Sequence, residues 1–292
     1  MLLAFKIKLA LACAAGLAGP LALAPLTGEL RSAADPGYPA PALVEIARGT
    51  MAYRESGDFT RKGQQSDAPL TTIRVDRPFA IMKTEVSATD YQACVDDRAC
   101  RALDRDVAIA IDLPAVQVSW HDAVAYAAWL SRKTGDTYRL PTDTEWAYAA
   151  GSRFRDDGIA VDTQDPSRRW IERYEREQGA SEGQQPQRFG SFGVNENGLA
   201  DLAGNVWEWT STCFTRNVRD DAGRTIKSYA NCGVRIAEGA HRAYVTDFIR
   251  DARAGGCAAG TPPNNLGFRL VREQPSWTDR MASRLKATLR SS

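Results

Sequence analysis

Apolar and polar positions alternate along residues 43–53 and again along 71–82. This is the period of a half-buried strand, and a polar loop separates the two runs. The pattern then becomes helical. Ser87 is placed to cap a short helix on which Tyr91, Cys94 and Val95 share a face. Ser119, with Asp122 three residues later, makes a variant capping box for a helix over 122–133. Val124, Ala127, Ala128 and Leu130 fall on or near one side of it, and Gly135 closes it. Thr142 and Glu145 repeat the device for a helix that carries Trp146, Ala149 and Ala150 as far as Gly151. Asp165-Pro166 opens a further helix, with Trp170 and Tyr174 one turn apart, Glu172 facing Arg176, and Gly179 at its end. Beyond it lie glycine- and asparagine-rich turns, and a basic tail over 274–292 in which Met281, Leu285 and Leu289 form a stripe.

The first residues follow another logic. Lys6 and Lys8 precede an apolar run over 9–26, interrupted by Gly16, Gly19, Pro20 and Pro25. A cationic start before such a run reads as a secretory leader, with Ser32-Ala33-Ala34 as a cleavage point, or as an uncleaved membrane anchor over 1–34. Either way the body is expected outside the cytoplasm, in the periplasm. Residues 35–42, rich in proline, form a linker to a domain over 43–273.

Composition narrows the partners. The chain has 292 residues, and Lys+Arg 37 against Asp+Glu 36 leaves a formal charge of +1. No net field draws it to nucleic acid or to an anionic membrane, so a membrane enters only through an uncleaved leader. Besides Cys13 in the leader there are Cys94, Cys100, Cys213, Cys232 and Cys257. In an oxidising compartment Cys94 and Cys100 can close a short loop, two of the other three can pair, and one thiol is left over.

Four ordered blocks then give a resemblance. They are Pro78-Phe79 through Glu85-Val86 and Tyr91; residues 114–123 with Arg139-Leu140-Pro141-Thr142 and 145–150; residues 195–209, ending Gly204-Asn205-Val206-Trp207-Glu208-Trp209; and Asn265-Leu266-Gly267-Phe268-Arg269. Together they resemble the formylglycine-generating enzyme, or sulfatase-modifying factor, family. The resemblance implies an α+β fold with little regular secondary structure, related to the C-type lectins. It also implies a structural calcium at Asn205, Val206 and Glu208, an oxygen set that suits a hard cation. The alternative is that Asn205 and Glu208 bond only to the protein.

The chain departs from the family where its chemistry resides. The formylglycine enzyme binds copper through a closely spaced cysteine pair before Asn-Leu-Gly-Phe-Arg, and soft thiolates suit that ion. Residues 233–254 contain no cysteine. The stretch holds His241, Tyr244 and Arg253 instead, with Cys257 shortly after; these four are the candidate catalytic residues. Whether copper or another transition metal binds there is open, as is a salt-bridged structural loop with no catalytic role. His121 reads as a surface residue. Branches of the family that also lack the pair include a periplasmic pyoverdine-maturation oxidase and an accessory protein of copper nitrite reductase. Two functions follow: oxidative tailoring of a peptide or amino-acid-derived small molecule, without sulfatase activation, or a non-catalytic assembly factor for a periplasmic copper reductase in denitrification.

Overall fold

The computed structural model describes residues 38–104, 107–156, 171, 185–252 and 265–274. All of them fall within one compact unit, Ala33–Ser292. The expected helix at 165–179 (save Ile171) and the basic tail beyond Gln274 lie outside the described residues.

Each run of alternating residues is split in two. The first forms β1 (Leu43–Ile46) and β2 (Gly49–Arg54), the second β5 (Leu70–Val75) and β6 (Phe79–Met82). The loop between them is not irregular: β3 (Asp58–Arg61) and β4 (Gln64–Ser66) form a hairpin. Lys62 and Gly63, with φ of 52° and 76°, make its two-residue turn, a conformation matched to the strand twist. The hairpin escaped the sequence pattern because lysine is a weak signal for that turn.

Three helices occur among the described residues. Ser87 caps α1 (Ala88–Asp96), burying Tyr91 and Cys94. Ser119 and Asp122 form a reciprocal capping box on α2 (Trp120–Thr134), and Gly135 ends it at φ 80°. The buried stripe of α2 is Ala123, Tyr126, Ala127, Trp129 and Leu130; Val124 and Ala128 face solvent, one position from the stripe expected. Thr142 and Glu145 cap α3 (Asp143–Ala150) in the same way. The Cys94–Cys100 bond forms after α1, and Cys213–Cys232 is the second disulfide.

The remaining strands are β7 (Tyr138–Arg139), β8 (Trp207–Arg219), β9 (Thr225–Glu238), β10 (Ala243–Thr246), β11 (Leu266–Gly267) and β12 (Val271–Arg272). They build a sheet of order β1-β6-β12-β7 and a larger one of order β10-β9-β8-β3-β4, with β11 parallel to β8; β2 and β5 pair separately. On β8 the two-residue pleat turns Trp207 and Trp209 into a core with α1, α2 and Phe268. Glu208 points the other way, toward α3, where Trp146 packs with Ile81, Leu199 and Val271 in a second core.

Candidate functional site

Glu208 of β8 and Glu238 of β9 are opposed residues of the antiparallel ladder. Opposed side chains share a face, so two carboxyls are buried together, Glu208 at 0% exposure and Glu238 at 1%. Two arginines answer them. Arg269 donates from Nε to Glu208 Oε2 at 2.6 Å and from Nη2 to Oε1 at 2.8 Å, and Trp146 Nε1 adds a bond at 2.9 Å. Glu85 lies 3.7 Å from the same guanidinium, and neither of its oxygens has a hydrogen-bond partner among the described residues. Burial pushes its carboxyl up to about 8, the Glu208 charge adding to the effect and the Arg269 charge opposing it.

The second arginine is Arg242. Its Nε donates to Glu238 Oε1 at 2.6 Å and its Nη1 to the Arg54 carbonyl at 3.3 Å. Its guanidinium lies 5.4 Å from the ring centres of both Tyr53 and Phe154. Asp143, the first residue of α3, joins it: Arg242 Nη2 is 3.6 Å from Asp143 Oδ1, and the Tyr53 hydroxyl donates to Oδ2. Burial drives Glu238 well above the usual carboxylate range, the Asp143 charge adding to the effect against the pull of Arg242. Burial also opposes ionisation of Asp143, but Arg242 together with bonds from Glu238 and Tyr53 outweighs it and holds Asp143 low. The two carboxyls beside Arg242 are thus driven in opposite directions, Glu238 toward its neutral form and Asp143 toward its ionised one. Desolvation and the nearby aspartate keep Tyr53 neutral.

His241 sits just outside this cluster. Gly239 lets the chain pass the Trp207 indole, where a Cβ would come within 2.8 Å of the ring, and Trp207 Nε1 holds the His241 carbonyl at 3.0 Å. The imidazole packs on the same indole at 5.1 Å. Its Nδ1 lies 3.1 Å from the Arg242 carbonyl, and its Nε2 is buried with no hydrogen-bond partner among the described residues. His241 and Ala240 line an open pocket of about 710 Å³ with Met51, Ala52, Leu70 and Phe154, rimmed by Ser152, Arg155 and Asp156.

Of the candidate catalytic residues that are described, His241 lines this pocket and Tyr244 does not. The Tyr244 hydroxyl accepts the Gly57 amide at 2.9 Å and its ring packs on Phe214, so it ties β10 to the β2–β3 turn. Arg253 and Cys257 lie outside the described residues. Because Cys213 and Cys232 bond each other, neither is open to Cys257. Other polar groups of the stretch disperse: Asp247 pairs with the exposed His121, and Arg250 with Asp104 and Asp122. Tyr53 and Asp143 were missed. Asp143 carries no sign of its role beyond helix capping, and only the fold brings it to Arg242.

The calcium expectation meets a different arrangement. The Asn205 amide clasps the backbone of Gln187, accepting from its N at 2.8 Å and donating to its O at 2.9 Å. Both Glu208 oxygens are taken by Arg269, whose guanidinium stands where a cation would. With Val206 supplying only a carbonyl, these three do not form an open cage for calcium. Among the described residues no three His, Cys, Asp or Glu side chains converge as metal ligands, so His241 alone does not make a copper site.

A buried arginine–carboxyl core, a stapled β8–β9 hairpin and a mixed fold of small sheets define the class. Residues 30–274 match the sulfatase-modifying factor enzyme 1-like domain, and the chain belongs to that family. It is 38% identical over 133 residues to the formylglycine-generating enzyme of Mycobacterium tuberculosis, covering 42% of this chain and 41% of that one. It is 32% identical over 177 residues to the inactive C-alpha-formylglycine-generating enzyme 2 of Mus musculus, covering 55% and 49%. The matches thus span about half the length of these relatives, or less. The structure of PvdO from Pseudomonas aeruginosa superposes with a TM-score of 0.52 at 23% identity, over 80% of this chain and 95% of that one, a likeness of fold.

Proposed function

We propose that the chain is an exported formylglycine-generating-enzyme-like protein that oxidatively tailors a peptide or amino-acid-derived small molecule and does not activate sulfatases. The observation that carries this reading is the exchange of a thiolate pair for His241, which lines a pocket with a buried Arg242–Asp143–Glu238 cluster behind it. Export is supported by the cationic, apolar leader and by two disulfides, which persist where thiols are oxidised. The periplasm is the compartment this reading assigns.

Mass spectrometry of small peptides from a strain lacking the chain, against strains restored with wild type or His241→Ala, tests it. A precursor that accumulates without the chain, and is replaced on wild-type restoration by a product two hydrogens lighter, those hydrogens passing to an external two-electron acceptor such as dioxygen, is the expected result. Identical profiles in all strains would overturn it. The dispersal of Tyr244, Asp247 and Arg250 into scaffold contacts favours the second reading, an assembly factor for a periplasmic copper reductase. That reading predicts a reductase short of copper in the deleted strain and unchanged peptides.

A further inference from the structure

We propose that the Cys213–Cys232 disulfide is an exchange site for an external dithiol, attacked at Cys232 and opening with Cys213 as a thiolate held by Arg235. This goes beyond the reading above and does not rest on the His241 pocket.

The two sulfurs have unlike surroundings. Cys232 is exposed, as are its neighbours Asn231 and Gly233, so a thiol from solvent meets it first. Cys213 is half-buried, and Arg235 Nη1 donates to its Sγ at 3.1 Å and to the Ser211 carbonyl at 2.8 Å. The guanidinium lies 3.9 Å from the centre of the Trp120 ring, which is itself pinned by a bond from Nε1 to the Thr210 carbonyl. Among the described residues no carboxylate pairs with Arg235. The acid whose charge reaches it, Asp247, is bound to His121 at 3.2 Å. Burial pulls the guanidinium below the usual arginine range, and its Nε is buried with no hydrogen-bond partner among the described residues. A cation partly withdrawn from water, without an anion of its own and aimed at a sulfur, favours negative charge on that sulfur.

Thiol–disulfide exchange runs faster when the departing thiol is more acidic. One thiolate of the dithiol bonds Cys232 Sγ, the Cys213–Cys232 bond breaks, and its electron pair leaves on Cys213 Sγ beside Arg235. The second thiolate then bonds the first sulfur of its own molecule and expels Cys232, which takes up one proton while the other goes to solvent. Two electrons pass to the chain, and the dithiol becomes a disulfide. The fold lets the sulfurs part: Cys213 lies between two register shifts of the β8–β9 ladder, and pairing resumes at Phe214. Cys94–Cys100 is the contrast, because Cys94 is fully buried in the core with Tyr91 and Tyr126.

The intact, disulfide-bonded protein is tested with Cys257→Ser in place, so that Cys257 does not compete. Timed treatment with dithiothreitol, quenched by alkylation and mapped by mass, should open Cys213–Cys232 at least about tenfold faster than Cys94–Cys100. Glutathione, quenched early, should be found on Cys232 and not on Cys213. Arg235→Ala should slow the opening by roughly threefold or more, and Arg235→Lys should restore part of the rate. A merely structural arginine gives the opposite sign, since a loosened hairpin opens faster. Equal opening of the two disulfides, glutathione on Cys213, or an Arg235→Ala rate unchanged or raised would overturn the proposal. The first two measurements need no Arg235 variant and decide the matter even where that variant does not fold.

Discussion

Glu208 and Glu238 face each other across the β8–β9 ladder, two carboxyls in the protein interior, each bound by a different arginine. Like charges in opposed positions destabilise a sheet. Arg269 offsets the conflict on one side, and on the other burial pushes Glu238 toward its neutral form beside Arg242. The site is therefore built on charge bookkeeping within one strand pair.

If Glu238 is protonated, an amide replaces it well. Glu238→Gln keeps an acceptor for Arg242 Nε and a hydrogen for Asp143, and should change stability by less than about 1 kcal/mol. Asp143→Asn strips the buried cation of its ionised partner and should cost about 3–5 kcal/mol. Urea unfolding at neutral pH compares them, and equal losses would contradict the assignment.

Glu85 gives a pH slope of defined sign. Its carboxyl rises from an ordinary 4.5 to about 8 in the folded chain, so folding favours the protonated form. The stability it contributes is fully present below the ordinary value and is lost as pH rises through about 8. Glu238, raised by burial too, adds to the same slope. The melting temperature should therefore fall between roughly pH 5 and pH 8, and the double variant Glu85→Gln, Glu238→Gln should flatten the curve. A wild-type curve already flat over that window would refute this.

Asn205 should matter as a clasp rather than as an ion ligand. Asn205→Ala breaks both bonds to Gln187 and should cost about 1–3 kcal/mol with calcium or with a chelator present. Melting curves in the two conditions decide it. A wild-type protein that melts lower with chelator would restore the calcium site.

Alkylation without reduction should modify Cys257 and leave Cys94, Cys100, Cys213 and Cys232 protected. Peptide mapping before and after reduction reads this directly. A label on Cys213 or Cys232 in unreduced protein would break the assigned pairing.

The capped helices were legible in the sequence because Ser119 with Asp122, and Thr142 with Glu145, satisfy helix ends within three residues. The Cys94–Cys100 bond was legible for the same reason of short range. The face of α2 was read half right: Ala127 and Leu130 are buried as expected, whereas Val124 and Ala128 face solvent and Ala123, Tyr126 and Trp129 face the core. His241 stood out as an unusual residue in a suggestive stretch, and the structure places it in the lining of a pocket. Tyr53 and Asp143 meet across a sequence separation of 90, a pairing that no local spacing encodes. Tyr244 misled because composition gathers residues that a strand then sends to opposite sides.

The position of β12 imposes an order of assembly. Val271 and Arg272 lie between β6 and β7, pairing with Ile81 and Ala80 on one side and Arg139 and Tyr138 on the other. The centre of that sheet is thus filled by a segment near the end of the described residues, synthesised long after β6 and β7. A nascent chain that stops short of Arg269 leaves Glu208 buried without its cation and β6 without its inner neighbour. Such distant closures are slow, so the sheet's completion waits until Arg269 and β12 have emerged. Loss of a few residues around Leu270 should be as damaging as deleting a helix.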